Sequence, residues 1–264
     1  MTRRRLDAEL VHRNLARSRE QAQEFITAGR VRLNGNIASK SATQVDNESS
    51  IVVVEGDLGP DYVSRGAHKL TGALDAFRVE VTGRWALDAG ASTGGFCDVL
   101  LRRGVAGVIA VDVGYGQLAW PIRSDDRVVI MERTNVRELS TDMLAFTPDL
   151  VVADLSFISL ATVLPALSAV AAPDADLLLM VKPQFEVGKE RVGSGGVVRD
   201  PGLRSLAVRR IADVALDLGL GTAGVVASPL PGPSGNVEYF LHLRQGAPAL
   251  QDADLDRAIE EGPQ

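Results

Sequence analysis

The run Leu87-Asp88-Ala89-Gly90-Ala91-Ser92-Thr93-Gly94-Gly95-Phe96 constrains this chain more than any other stretch. Trp85-Ala86-Leu87 before it is short and apolar, as a buried strand is, and Phe96 to Arg102 after it reads as the first turns of a helix. A glycine turn that joins a strand to a helix leaves backbone N–H groups facing a ligand. The dinucleotide fingerprint asks for glycine at its first, third and sixth positions. Those positions hold Gly90, Ser92 and Gly95. A serine where a pyrophosphate must approach the backbone argues against a nicotinamide dinucleotide. No Gly-Lys-Ser/Thr follows, so a Walker-type phosphate loop is also excluded. A nucleoside ligand without a pyrophosphate, such as S-adenosylmethionine, fits better, with Gly90, Ser92, Thr93 and Gly94 as its contacts.

From residue 85 onward strand-like and helix-like runs alternate, which predicts a mostly parallel α/β sheet. Strands are expected near Trp85–Ala89, Gly107–Val113, Val128–Glu132, Leu150–Asp154 and Leu177–Lys182, and helices near Gly94–Arg103, Leu160–Val170 and Leu203–Leu218. A final pair, Thr222–Ala227 and Val237–Leu243, closes the sheet as an antiparallel hairpin. Seven strands with the last one antiparallel are the usual methyltransferase variant of the doubly wound, Rossmann-like fold.

Ahead of this domain lies a basic head. Net charge over 264 residues is −6, yet residues 1–45 carry nine Lys/Arg and four Asp/Glu, a balance of +5, which leaves −11 for the remainder. That asymmetry is expected of a nucleic-acid-binding appendage on an acidic body. Leu6, Leu10, Val11 and Leu15 have helical spacing; Ser18 is placed to cap a second helix, and Gly29 to end it. Val31-Arg32-Leu33, the hairpin signal Asn34-Gly35 and Ile51 to Val54 complete a small α+β unit. Gly56, Gly59 and Pro60 break both periodicities. The expected division is therefore 1–58, a linker at 59–63, a large domain at 64–246 and a polar, loose tail at 247–264.

Cys97 is the one cysteine, so no intramolecular disulfide forms, which suits a reducing cytoplasm. The N-terminus lacks the apolar core of a secretory signal, and the weakly polar run Leu160–Ala172 is too short to span a membrane. The three histidines lack metal-ligand spacing, and no metal is expected.

In an open α/β sheet ligands bind beyond the carboxyl ends of the strands. There the sequence places Asp112 near the end of the second strand, suited to ribose hydroxyls, with Val113 beside it as a further cofactor contact, and Asn135 after the third, suited to an adenine edge. Asp154 follows the fourth and Lys182 the fifth; Glu238 lies on the late strand, and Lys69 opens the helix before the sheet. Each has a structural alternative, a helix cap or a solvated edge, but several charged groups converging on one crevice point to chemistry. Arg65, Arg133 and Arg137 near the crevice, and Lys189 in a glycine-rich basic loop, are placed to meet phosphates.

Two resemblances follow from these residues. Leu15 to Ala22 and Ile26-x-x-Gly29-Arg30-Val31-x-Leu33-Asn34-Gly35 resemble the α-L RNA-binding domain of a small-subunit ribosomal protein, pseudouridine synthases and some tRNA synthetases. By position in that module, Arg4, Arg17, Arg19, Arg30 and Lys40 are the implied RNA contacts. The order Lys69, Asp154, Lys182, Glu238 resembles FtsJ-like ribose 2′-O-methyltransferases. Ser64 to Leu70, Asp88 to Phe96, Asp112-Val113-Gly114-Tyr115-Gly116, Asp154 to Leu160, Val181 to Glu186 and Pro231 to Asn236 together resemble the TlyA family. That family methylates the 2′-hydroxyl of cytidines in ribosomal RNA of the small subunit, the large subunit or both, which implies the same cofactor and partner here. Pro60-Asp61-Tyr62-Val63 departs from an Arg-aromatic linker element found in family members.

The implied reaction suits the residues. In-line methyl transfer depends on alignment, and a base must take the hydroxyl proton. A lysine of ordinary pKa, about 10.4, is a poor base, but cationic neighbours favour the neutral amine. The resemblance implies Lys182 as base, Asp154 orienting it and the methyl group, and Lys69 with Glu238 fixing the ribose. Two other classes compete. The intact glycine turn and tetrad argue against a non-catalytic ribosome-assembly factor. A pore-forming haemolysin lacks any membrane span or alternating barrel pattern in the sequence.

Overall fold

The structure is a computed structural model that describes residues 4–27, 30–34, 36–38, 40–46, 49–53 and 62–262. The chain divides into two compact units, residues 1–61 and 62–264. Gly29, Gly35 and Val54, together with residues 59–61 of the expected linker, lie outside the described residues.

In the first unit, strand β1 (Arg4–Arg5) leads into helix α1 (Leu6–His12), then α2 (Arg19–Thr27), β2 (Val31–Leu33), β3 (Asn36–Ile37), β4 (Gln44–Val45) and β5 (Ile51–Val53). Arg4 and Arg5 pair with β4, Arg4 opposite Val45 and Arg5 opposite Gln44. The Ser18 hydroxyl accepts from the Gln21 N–H at 3.2 Å, the bond that a helix start needs. Asn34, at φ +50°, turns β2 into β3, and β2 also pairs with β5. Leu6, Leu10, Ala22, Ile26, Val31 and Val45 form its core.

The second unit begins with α3 (Gly66–Phe77) and β6 (Trp85–Ala89). Then follow α4 (Gly95–Arg102), β7 (Gly107–Val111), α5 (Trp120–Arg123), β8 (Val128–Met131), β9 (Leu150–Ala153) and α6 (Leu160–Val170). The unit ends with β10 (Asp176–Val181), α7 (Pro183–Glu186), α8 (Pro201–Asp217), β11 (Leu220–Ala227), β12 (Tyr239–Gln245) and α9 (Asp252–Glu261). Its seven strands lie in the order β11-β12-β10-β9-β6-β7-β8. All run parallel except β12, which is inserted antiparallel between β10 and β11. The sheet buries both faces, which is why β7 reads as an unbroken apolar run and β10 as one after Asp176. Leu87, Ile109, Val151 and Leu179 pack on one side with α6, α8 and α9; Ala86, Val108, Val152 and Met180 pack on the other with α3 and α4.

One expectation needs correction. The tail is not loose: residues 252–261 form α9, whose Leu255 and Ala258 are buried in the core. The glycine-rich basic loop contains two short 3-10 turns, Lys189–Arg191 and Ser194–Gly196.

Candidate active site

The glycine turn has the geometry its sequence demands. Gly90 and Gly94 adopt φ +88° and +94°, in the left-handed region that glycine occupies without strain. A Cβ on Gly90 would lie 2.6 Å from the Asp154 carbonyl oxygen, so no other residue lets the turn pass this close to β9. Ser92, the exception to the dinucleotide pattern, is itself left-handed at φ +48°. Its N–H donates to Asp112 Oδ2 at 2.8 Å, and Gly114 N–H donates to Oδ1 at 2.6 Å. The carboxylate at the end of β7 is thereby fastened to the turn, with lone pairs left for a diol. Ser92 and Thr93 are exposed on the turn, as is Val113 beyond Asp112. Although the N–H groups of Gly90, Ala91, Ser92 and Gly94 donate within the protein, the bare glycine cradle and the anchored carboxylate fit a nucleoside-bearing cofactor.

Asp88, one residue before the β6 terminus, is fully buried. Its Oδ2 accepts from Cys97 Sγ at 3.0 Å, and Oδ1 has no hydrogen-bond partner. Burial pushes this carboxyl up to about 7, and the Asp154 charge adds to the effect.

The strand register brings the four predicted side chains to one end of the sheet. Asp154 follows β9, whose Ala153 lies between Ala89 of β6 and Leu179 of β10. Val181 pairs with Tyr239, so Lys182 and Glu238 leave neighbouring strands side by side. The first turn of α3 stands against Asp154: a Cβ on Gly66 would lie 4.0 Å from its Oδ2. The tetrad resolves into two pairs. Lys69 Nζ donates to Glu238 Oε2, both side chains being buried. Lys182 Nζ lies 2.6 Å from Asp154 Oδ1, an ion pair outside hydrogen-bonding geometry, and donates its hydrogen bond to Ser156 Oγ at 2.8 Å. Gly232 closes over the Lys69–Glu238 pair, since a Cβ there would meet Glu238 Oε1 at 2.5 Å.

Other predicted residues are placed differently. Asn135 spends its side chain on the 3-10 turn that follows it, accepting from Arg137 N–H at 3.1 Å and donating to Glu138 at 3.3 Å. Arg133 stacks on the Tyr115 ring at 4.4 Å. Arg65 precedes the first turn of α3, and Arg137 and Lys189 are exposed. In the first unit, Arg4 and Arg19 are ion-paired to Glu9 and Asp7, Arg30 lies over the Phe25 ring at 4.5 Å, and Arg17 and Lys40 are exposed. Glu186, at the end of the Val181 to Glu186 motif, accepts from Ser159 Oγ at 2.5 Å and Leu160 N–H at 2.8 Å, so it caps α6 rather than facing the site.

Sequence reasoning missed two residues here. Ser156 is the hydrogen-bond partner of Lys182. Phe157 beside it is 91% exposed and held at φ +65°, with its ring 5.4 Å from that of Phe185. Both lie within the Asp154 to Leu160 run that carries the family resemblance, which was the signal available for them.

Comparison with known proteins covers both units. Residues 62–245 match the FtsJ-like methyltransferase family, and residues 4–51 match the S4 domain. The chain is 60% identical over 265 residues to the 16S/23S rRNA (cytidine-2′-O)-methyltransferase TlyA of Mycobacterium tuberculosis, with 98% of each chain covered. It is 41% identical over 263 residues to YqxC of Bacillus subtilis, provisionally named an rRNA methyltransferase, covering 97% of this chain and 93% of that one. A solved structure from Streptococcus thermophilus, provisionally named a hemolysin, superimposes with a TM-score of 0.79 at 35% identity, covering 99% of this chain and 96% of that one. Among the described residues no helix is long and apolar enough to cross a membrane.

Proposed function

The chain belongs to the FtsJ-like methyltransferases, within them to the TlyA family, and we propose that it transfers a methyl group from S-adenosylmethionine to the ribose 2′-hydroxyl of a cytidine in ribosomal RNA. The observation that carries this reading is the pairing of Lys182 with Asp154 and of Lys69 with Glu238 beside the glycine turn.

Gly90, Ser92, Thr93 and Gly94 would hold the cofactor with Asp112 at its ribose, and Val113 would flank it. Bound there, S-adenosylmethionine supplies an electrophilic methyl on a sulfonium. Lys182 Nζ, once it has released one ammonium proton to solvent, accepts the proton of the ribose hydroxyl. Asp154 and Ser156 hold that amine from two sides, which fixes the direction of proton transfer. Lys69 and Glu238, a buried donor and acceptor clamped together, fix the ribose. The work of this site is alignment, because in-line transfer to a positioned hydroxyl gains most from lost translational and rotational freedom. The S4 unit would grip structured RNA through Arg17, Arg19, Arg30 and Lys40, and Arg65, Arg133, Arg137 and Lys189 would meet phosphates around the site.

The test is transfer of labelled methyl to purified, unmodified small and large ribosomal subunits, run beside Lys182→Ala. Label at a cytidine 2′-hydroxyl, absent with the variant, is the expected result. No label on either subunit, despite cofactor binding, would overturn the assignment. Lysis of liposomes by the same preparation would favour the haemolysin class instead.

A further inference from the structure

The basic S4 unit contains a feature that charge counting does not explain: helix α1 carries two carboxylates with almost no access to water. Asp7 is 0% exposed and Glu9 is 2% exposed. Arginines surround both. Asp7 accepts from Arg5 Nε at 3.1 Å and Nη2 at 2.9 Å, from Arg19 Nη2 at 3.1 Å and from Gln23 Nε2 at 3.0 Å. Glu9 accepts from Arg4 Nη1 at 3.2 Å and Arg13 Nε at 2.8 Å. Arg13 is turned inward, since its other two nitrogens donate to the Ser49 and Asp46 carbonyls at 2.8 and 2.9 Å. It staples the unit together.

Arg4, Arg5 and Arg19 are different. Their side chains are 41%, 44% and 58% exposed. Each guanidinium has five N–H donors, and the carboxylates take only one or two of them. The backbone under Arg4 and Arg5 is itself fixed by pairing with β4. Arg4 and Arg5 are thus held at both ends and Arg19 at its guanidinium, with part of each fork open to solvent. An unrestrained arginine loses rotamer freedom when it grips a phosphate, and a preset one has already lost it. Arg5 holds the Asp7 carboxyl far below the ordinary range, so Asp7 keeps its charge at every working pH.

We propose that Asp7 and Glu9 are positioning residues that set Arg4, Arg5 and Arg19 as a preformed clamp for RNA phosphates. This rests on the reading of the S4 unit as the grip on ribosomal RNA. The carboxylates lower the positive charge of the surface, yet on this account they raise its affinity. That opposition gives a sign test.

Full-length Asp7→Asn and Arg19→Lys would be compared with the parent chain in methyl transfer to purified, unmodified ribosomal subunits, KM and kcat being measured separately. Asp7→Asn is expected to raise KM about tenfold, the size of one charge-assisted hydrogen bond, and to leave kcat within about twofold. Arg19→Lys keeps the charge but loses the fork, and its KM is also expected to rise. A substitution that merely unfolds part of the preparation lowers kcat at constant KM. A surface that works by charge alone binds Asp7→Asn more tightly. An unchanged or lowered KM in Asp7→Asn overturns the proposal; if that variant does not fold, an unchanged KM in Arg19→Lys does so. Absence of methyl transfer by the parent chain would sink the rRNA reading and this proposal together, whereas parent turnover with an unmoved KM sinks the proposal alone.

Discussion

The two ends of the seven-stranded sheet treat charge in opposite ways. At the amino end, Asp176 of β10 is surrounded by partners. Arg84 Nη1 donates to its Oδ2 at 2.5 Å, His242 Nε2 lies 2.7 Å from Oδ1, and Arg244 Nε lies 3.1 Å from Oδ1. Arg84 also reaches Asp149 at 3.1 Å. Burial pushes the Asp176 carboxyl up, but His242 and Arg84 outweigh it and hold it at about 2. At the carboxyl end, Asp88 is buried with one oxygen unpartnered, Asp154 Oδ1 meets Lys182 without hydrogen-bonding geometry, and Ser92 and Phe157 sit in left-handed backbone. One end is satisfied and the other is poised. Strain and unspent hydrogen-bonding capacity collect where a ligand is to be bound, and saturated ion networks collect where only the fold is at stake.

The sharpest way to separate the two ends is to remove one charge from each and read activity and stability independently. At the carboxyl end, Lys182→Ala is expected to lower kcat by about 10²- to 10⁴-fold, the usual share of a general base, while the melting temperature and cofactor binding stay near those of the parent. Near-normal turnover would show that Lys182 is not the base. At the amino end, Asp176→Asn is expected to destabilise the chain by roughly 3 kcal/mol, because it leaves Arg244 and His242 without their carboxylate and Arg84 with Asp149 alone. Activity per folded molecule should be unchanged. The pH dependence has a definite sign: a carboxyl held at about 2 contributes stability that is present above about pH 4 and is lost as pH falls toward 2. Denaturant titrations from pH 2 to 6 should find that loss in the parent chain and not in Asp176→Asn.

The same contrast explains what could be read without coordinates. Trp85–Ala89 and Leu160–Val170 form where hydrophobic periodicity places them, and the seven-stranded sheet with one antiparallel strand follows from the order of apolar runs. The tetrad was legible because strand ends in such a sheet converge, and because its order matches a family pattern. The resemblance also implied which members work together, Asp154 with Lys182 and Lys69 with Glu238, and those are the side chains that meet; the side-by-side exit of Lys182 and Glu238 from adjacent strands needed the cross-strand register. Helix α9 was hidden by composition: Asp252, Asp254, Asp256, Glu260 and Glu261 outnumber the Leu255 and Ala258 that it buries. Asp7 and Glu9 looked like dilution of a basic head, and only their burial reveals them as partners of its arginines. Ser156 lay within the family-matching run from Asp154 to Leu160, but nothing in that run distinguishes a serine that caps a turn from one that holds a lysine.

Asp88 tests the poised end from within. Its carboxyl is raised to about 7, so the folded chain holds a proton there that the unfolded chain releases near pH 4. Stability from this group therefore falls as pH rises from about 4 to about 7, with a slope of up to about 1.4 kcal/mol per pH unit. Asp88→Asn carries no titrating group, and the difference between parent and variant stability should slope across that window and level off above it. A flat difference would mean that the buried carboxyl titrates in the ordinary range and that this end is less poised than its geometry indicates.

Ser156→Ala makes the finest distinction. The hydroxyl accepts the hydrogen bond of Lys182 Nζ, while Asp154 supplies the charge pairing without that geometry. Removing Oγ leaves the ion pair in place but lets the amine swing about it. One hydrogen bond to a charged donor is worth about 1.5 kcal/mol, so kcat should fall roughly tenfold with KM for the subunits little changed. Ser156→Thr keeps an oxygen at the same branch and should recover most of the rate. If both variants matched the parent, Asp154 alone would set the direction of Lys182. The hydroxyl would then be a bystander at the carboxyl end, no more engaged in chemistry than the saturated partners of Asp176 at the other.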